Sequence, residues 1–317
     1  MTDQHDGTTA PARATLIGVP YHLGQLRISM GLGPVVALDD GRVPSALRSM
    51  GIDVDVRWVD RDEPASADKM APGDQMGRHL THNRQLAGLI GEARRQGRQP
   101  IVFTGNCNSS IGVTSGLDQD GIGVVWIDAH PDCETPETST DGLFDGMPVA
   151  VLAGKCWKAW REQIPGYRVI PEERMVMVSV HDRFAAPEDR MLDHDPSPLG
   201  RAVDPPAIAR DGFSGALDAA LDDLAGATDR VYLHIDLDSI EPSEGRASLY
   251  TAPGGLSVAQ VTETIESVSR RFNVLATSFS AWDPDIDPRM PEIVARLAKA
   301  VAACTVPGAS NNRGAES

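Results

Sequence analysis

Residues Val124–Gly146 read VVWIDAHPDCETPETSTDGLFDG, and this stretch decides how the rest of the chain is understood. Val124, Val125, Trp126 and Ile127 run straight into Asp128, His130 and Asp132. A run that is apolar on both faces is the pattern of a buried parallel strand. Open α/β sheets collect ligands beyond the carboxyl ends of such strands, so the chemistry is expected where this one stops. Val231–Ile235 repeats the arrangement and closes on Asp236 and Asp238. Side chains alternate along a strand, so these two carboxylates leave on one side and approach a common centre. Carboxylates crowded in this way repel and raise one another's pKa unless cations neutralise them, which points to bound metal.

Working outward, further strands are expected at residues 15–21, 54–59, 101–103, 174–180 and 274–280. Helical periodicity appears at 43–50, 76–95, 147–160, 213–224, 257–270 (entered through Ser257 as N-cap) and 290–304. HLGQLRISMGLGP after the first strand reads as a Gly-rich loop, and the charged residues 60–73 as a surface excursion. Strand and helix alternate, which predicts an α/β fold with a largely parallel sheet covered by helices on both faces. No linker divides the chain, so residues 13–306 are expected to form a single domain between disordered tails at 1–12 and 307–317.

The chain has 317 residues and a formal charge of −16, which argues against binding nucleic acid or an anionic membrane by bulk electrostatics. The first residues, MTDQHDGTTAPARA, are polar and unlike a signal peptide, and no apolar run has the length of a membrane span. A cytoplasmic protein acting on a small molecule is expected. Cys107, Cys133, Cys156 and Cys304 form no CxxC pair and no disulfide framework, so they read as reduced thiols.

DAHPD, followed by TPETSTDG and GMP, resembles the metal-binding block of the ureohydrolase superfamily, which takes in arginases, agmatinases and formimidoylglutamases. TGNCNSSIGVTSG resembles the glycine-rich block that holds the first ligand, and DLDSIEPSEGRASLYTAPGGL the second aspartate block. The likeness spans most of residues 14–305. It implies a three-layer α/β/α fold with a mainly parallel eight-stranded sheet, assembled as a homo-oligomer, trimer or hexamer. It also implies two divalent ions, most often manganese, whose bridging hydroxide attacks a guanidinium or formimidoyl carbon. Carried over by position, Asp128 and Asp236 bridge the ions, His130 and Asp238 complete one site, and Asp132 and Cys107 the other.

Several positions depart from that pattern. Cys107 stands where the superfamily writes His, as in its hydroxyarginine-cleaving branch; a thiolate there shifts metal preference toward zinc, iron or nickel. The other reading of Cys107 is a small buried residue beside a one-metal or empty site. Asp145 replaces the proton-shuttling His of arginases and reads either as an acid or base with a raised pKa or as a helix N-cap. Glu134 and Asp141 replace the Asn and Ser that bind the substrate carboxylate, and they favour a cationic or neutral ligand. Phe184 takes the place of an acid that grips the α-amino group. Ala281 stands where a glutamate pairs with the guanidinium, a loss of several kcal/mol, on the order of a broken buried pair, unless Glu134, Asp141 or Asp145 substitutes. Glu241 keeps a family acid's charge and is expected to alter only loop packing, whereas Tyr250 puts bulk near the mouth. His181 follows a strand end and is a candidate for the site edge. His234 reads as a hydrogen-bonded core residue on the side away from His130, and His79 and His82 as helix-surface residues.

Together these features predict a metal-dependent hydrolase cleaving a C–N bond of a guanidino or amidino compound other than arginine, in specialised metabolism. Two alternatives stay open: the same metal fold acting on a non-guanidine substrate by amide-like hydrolysis or cyclisation, and an inactive binding subunit.

Overall fold

Apolar runs form the strands, and the segments between them carry the chain back so that each strand starts at the same end. A computed structural model describes residues 12–59, 74–117, 120–190 and 197–309. Strand β1 (Arg13–Val19) leads into a short hairpin, β2 (Tyr21–His22) and β3 (Gln25–Leu26). Helices α1 (Gly33–Asp39) and α2 (Arg42–Ser49), strand β4 (Asp53–Trp58) and the long helix α3 (Gln75–Arg95) follow. Next come β5 (Gln99–Thr104), α4 (Ser109–Leu117) and β6 (Gly123–Asp128). Two short helices, α5 (Pro148–Leu152) and α6 (Lys158–Arg161), precede β7 (Met175–Ser179) and β8 (Arg201–Val203). Helices α7 (Pro205–Asp211) and α8 (Phe213–Ala225) lead to β9 (Arg230–Asp236); α9 (Val258–Arg271), β10 (Asn273–Ser280) and α10 (Met290–Thr305) close the chain.

Eight strands form one sheet in the order β4-β1-β5-β10-β9-β6-β7-β8. Every pairing in it is parallel, so the sheet expected to be mainly parallel is wholly so. Apolar residues divide between its faces as alternation requires. Leu16, Phe103, Ile127 and Ile235 pack under Leu47, Leu221, Ile265 and Leu297 of α2, α8, α9 and α10. Ile17, Val102, Val124 and Trp126 pack under Leu86 and Ile90 of α3, Ile111 of α4 and Val149 of α5. Register sets Asp128 beside Ser179 and Asp236 beside Ser280, bringing the polar strand ends to one rim.

Ser257 caps α9 as expected, within a reciprocal capping box with Gln260. Elsewhere the structure corrects the sequence reading. The Gly-rich loop carries the β2–β3 hairpin and runs into α1, which has Pro34 in its first turn. The helix expected over 147–160 breaks in two because Gly154, at φ 76°, turns the chain after α5. His79 and His82 are buried: His82 stacks on Tyr21 at 3.6 Å and His79 packs against Phe144 at 5.4 Å. Order extends past residue 307, with Ala309 packed in the core, and Ala12 accepts a hydrogen bond from Asp53 N at 2.9 Å. The tails at 1–11 and 310–317 and the excursion at 60–73 lie outside the described residues. Among the described residues no helix is long and apolar enough to cross a membrane.

Candidate metal centre

Neighbouring strands end side by side on one rim, and each hands over a polar side chain there. β6 ends on Asp128, β9 on Asp236 and β10 on Ser280, while the turn after β5 carries Cys107. Asp128 is fixed from two sides: Oδ2 accepts from Trp126 Nε1 at 2.8 Å and Oδ1 from His130 N at 2.7 Å. Asp236 Oδ1 accepts from Asp238 N at 2.9 Å, and its Oδ2 accepts from Cys107 Sγ at 2.6 Å and Ser280 Oγ at 3.2 Å. His130 Nδ1 lies 3.3 Å from Asp238 Oδ2 and 3.5 Å from Asp128 Oδ1. Ligand atoms of Cys107, Asp128, His234 and Asp236 lie within 4.8 Å of one another, and so do those of Asp128, His130 and Asp238. Asp128 belongs to both groups. All of these residues except His234 line one cavity, together with Asp132, Glu134, Asp141 and Asp145.

The electrostatics reflect this crowding. Burial and then the neighbouring Asp238 raise Asp128 to about 7. Burial, Asp238 and Asp128 push Asp236 well above the carboxylate range, and burial with Asp128 and Asp145 does the same for Asp132. Burial and then Asp236 push the Cys107 thiol up as well. Burial alone would oppose ionisation of Asp238 and His130, but their mutual attraction and hydrogen bonding outweigh it, lowering the acid and raising the imidazole. The cluster therefore holds protons in place of positive charge, which is the condition a divalent cation relieves.

The family model described as the arginase family matches residues 12–306. This chain belongs to the arginase family. The arginase of Bacillus caldovelox is 27% identical over 288 residues, covering 87% of this chain and 92% of that protein. Its native crystal structure superposes with a TM-score of 0.76 at 24% identity, over 92% of this chain and 98% of that one. The formimidoylglutamase of Bacillus subtilis superposes with a TM-score of 0.66 at 17% identity, over 95% of this chain and 90% of that one. At these identities the superpositions speak for the fold.

Membership of the arginase family implies a binuclear metal centre, and the residues present fit one. A carboxylate common to two ligand groups has the placement of a bridge, and a donor set of thiol, imidazole and carboxylates suits borderline divalent ions. Asp132, expected beside Cys107, lines the cavity at φ 49°, but its carboxylate joins neither tight group among the described residues. His234 does join one, against the expectation that it sits on the far side. It lies two residues before Asp236 on the same strand and so shares its face, a signal that alternation alone contained. The ring stacks on Trp126 at 3.6 Å, and its nitrogens reach Tyr232 Oη at 2.8 Å and Ser280 Oγ at 3.1 Å. Burial lowers its pKa to about 3, so it stands as a neutral imidazole supporting the shell from behind.

Asp145 does not cap the following helix, whose first turn has no side-chain cap. Its carboxylate instead accepts from Asn106 Nδ2 and from the backbone and side-chain nitrogens of Asn108, each at 3.2 Å. Burial raises it to about 6 against those hydrogen bonds. Asp145 is thereby tied to the turn that carries Cys107, a link across 37 residues from Asn108 that no local pattern encodes. Glu134, Asp141, Tyr250 and Ala281 line the cavity. His181 is not among the lining residues; its ring is held between Ser179 Oγ at 2.7 Å and Ala252 O at 3.0 Å. Glu241 accepts from Gly254 N and Gly255 N at 2.8 and 3.0 Å, a loop-packing role.

Proposed function

We propose that this chain is a metal-dependent hydrolase that cleaves a C–N bond of an amidine-type small molecule other than arginine. The observation that supports the reading is Asp128 shared between two groups of ligand atoms, of which all but His234 line one cavity. Cys107, Asp128, Asp132 and Asp236 are assigned to one ion, and Asp128, His130, Asp236 and Asp238 to the other. When bound, two divalent ions supply Lewis acidity and acidify water into the neutral range. Manganese is the family's usual ion, and Cys107 moves the preference of its site toward zinc, iron or nickel. Asp145, with a pKa of about 6 and oriented by Asn106 and Asn108, accepts and returns a proton near neutral pH. Glu134 and Asp141 favour a cation over a carboxylate in the remaining space. The family reading also implies assembly as a homo-oligomer, trimer or hexamer.

One observation favours a second reading within the same fold. Ala281 brings a methyl group to the cavity at a position where the superfamily pairs a glutamate with the guanidinium. A non-guanidine substrate follows if no other acid takes that part.

The test is elemental analysis of protein purified without added metal, beside a Cys107→Ala variant, followed by assay of guanidines and hydroxyguanidines for release of urea or hydroxyurea. About two ions per chain, falling toward one in the variant, with product from some member of the panel, is the expected result. Metal binding with silence across the panel would move the assignment to the non-guanidine reading, and failure to bind any divalent ion would remove both.

A further inference from the structure

Acids that reach the cavity beyond the two ligand groups differ in what already occupies them. Asp145 is held by Asn106 and Asn108. Asp141 closes its own turn, its Oδ1 accepting from Ser139 Oγ at 3.1 Å and Leu143 N at 2.8 Å. Asp132 is assigned to an ion. Glu134 is different: it is only 7% exposed, it lines the cavity, and no side chain or backbone group among the described residues donates to its carboxylate. Its backbone is pinned, with Glu134 N donating to Gly146 O at 2.9 Å. Gly146 also leaves the carboxylate its room, since a Cβ there would stand 3.1 Å from Glu134 Oε2. Among the residues lining the cavity there is neither lysine nor arginine. Its oxygens are not among the sealed, unpartnered polar atoms of the described residues, so they open to the cavity, where a cationic group of a ligand would make a charge-assisted hydrogen bond with them.

We propose that Glu134 is the specificity-determining residue that binds a cationic nitrogen of the substrate, an ammonium or amidinium on a molecule that carries no carboxylate near it. The inference rests on the hydrolase reading for what happens at the reacting carbon, but its own content is binding. Planar amidinium nitrogens meet a carboxylate in the bidentate geometry that makes such pairs strong. A substrate carboxylate brought to the same place would find Glu134 and Asp141 and no positive side chain in the lining.

The experiment is calorimetric titration of the metal-loaded chain with butylguanidinium, 4-aminobutylguanidine and arginine, for wild type, Glu134→Gln and Glu134→Asp, with metal content measured on each. Wild type is expected to bind 4-aminobutylguanidine at least about tenfold more tightly than arginine, the scale of one charged hydrogen bond. Glu134→Gln keeps the shape and removes the charge; it should weaken 4-aminobutylguanidine by about 10- to 100-fold toward butylguanidinium, leave arginine no weaker and retain its metal. Glu134→Asp should fall between the two. Equal binding of 4-aminobutylguanidine by wild type and Glu134→Gln, a wild-type preference for arginine, or loss of metal from Glu134→Gln would each overturn the assignment. If the binding pattern holds while no guanidine is hydrolysed, the hydrolase reading fails and Glu134 stands. If hydrolysis occurs with cation affinity indifferent to Glu134→Gln, the reverse is true.

Discussion

Asp128 is held by an indole N–H and a backbone N–H and has His130 Nδ1 at 3.5 Å, yet burial and the like charge of Asp238 outweigh these partners when no cation is bound. In an unfolded chain an aspartate titrates near about 3.9, whereas in the folded one Asp128 does so at about 7. Between those values the folded, metal-free protein binds more protons than the unfolded chain, so this group's contribution to stability falls as pH rises. Asp236 and Asp132, both raised, add in the same direction. Buried His79, His82 and His234, lowered to about 3, act in the opposite sense below about pH 6.5, so the gain in urea midpoint when metal is added to chelator-treated protein is the diagnostic quantity, and it should be larger at about pH 7.5 than at about pH 5. An equal or smaller gain at the higher pH would contradict this account. At this scale the sequence was informative about which residues meet, because DAHPD and DLD carry their ligands on strand ends whose side chains alternate. It was silent on partners from afar. Asn106 and Asn108 reach Asp145, and Ser280 reaches both Asp236 and Cys107, through contacts that only the folded sheet creates.

At the scale of the element, the turn from β5 into α4 constrains the site closely. A Cβ on Gly105 would lie 2.2 Å from Tyr21 O and 2.9 Å from Gly31 N, both backbone atoms that have little freedom to yield. Gly105→Ala must displace the turn that presents Asn106 and Cys107. The variant is expected to lose about 1–3 kcal/mol of stability, as overpacked sites do, and to retain less metal. Urea denaturation and elemental analysis check both, and wild-type values for each would show that the turn has slack. The buried strands announce themselves as continuous apolar runs, and α9 announces its start with Ser257 and Gln260. The elements that sequence left unread are those without such marks. β8 is a three-residue edge strand, too short to show alternation, and α7 is a short helix whose start rests on Asp204 accepting from Ala207 N at 3.1 Å. His79 and His82 were misread because imidazole is polar by composition, yet on α3 it packs as a ring against Phe144 and Tyr21.

For the molecule as a whole, the formal charge of −16 opposes compaction through self-repulsion. Salt screens that repulsion, the Debye length falling from about 30 Å at 0.01 M to about 8 Å at 0.15 M. The midpoint of thermal unfolding should accordingly rise as sodium chloride is added over this range, as scanning calorimetry would register. A fall instead would mean that exposed pairs such as Arg271 with Asp218 and Asp222 outweigh the net charge. Fold class was legible at this scale because alternation of strand and helix leaves few topologies, whereas the strand order β4-β1-β5-β10-β9-β6-β7-β8 depends on long-range pairing that no window of sequence contains.

Because all eight strands run the same way, the connections sort themselves onto two opposite rims. The rim that starts the strands is turned by exposed glycines, Gly97 before β5 and Gly226 before β9, far along each strand from the ligand ends. A tether or fluorophore attached in either of those loops would mount the molecule on a surface with its cavity facing outward, so a sensor chip could be loaded in one orientation without the linker crossing the path of an arriving ligand.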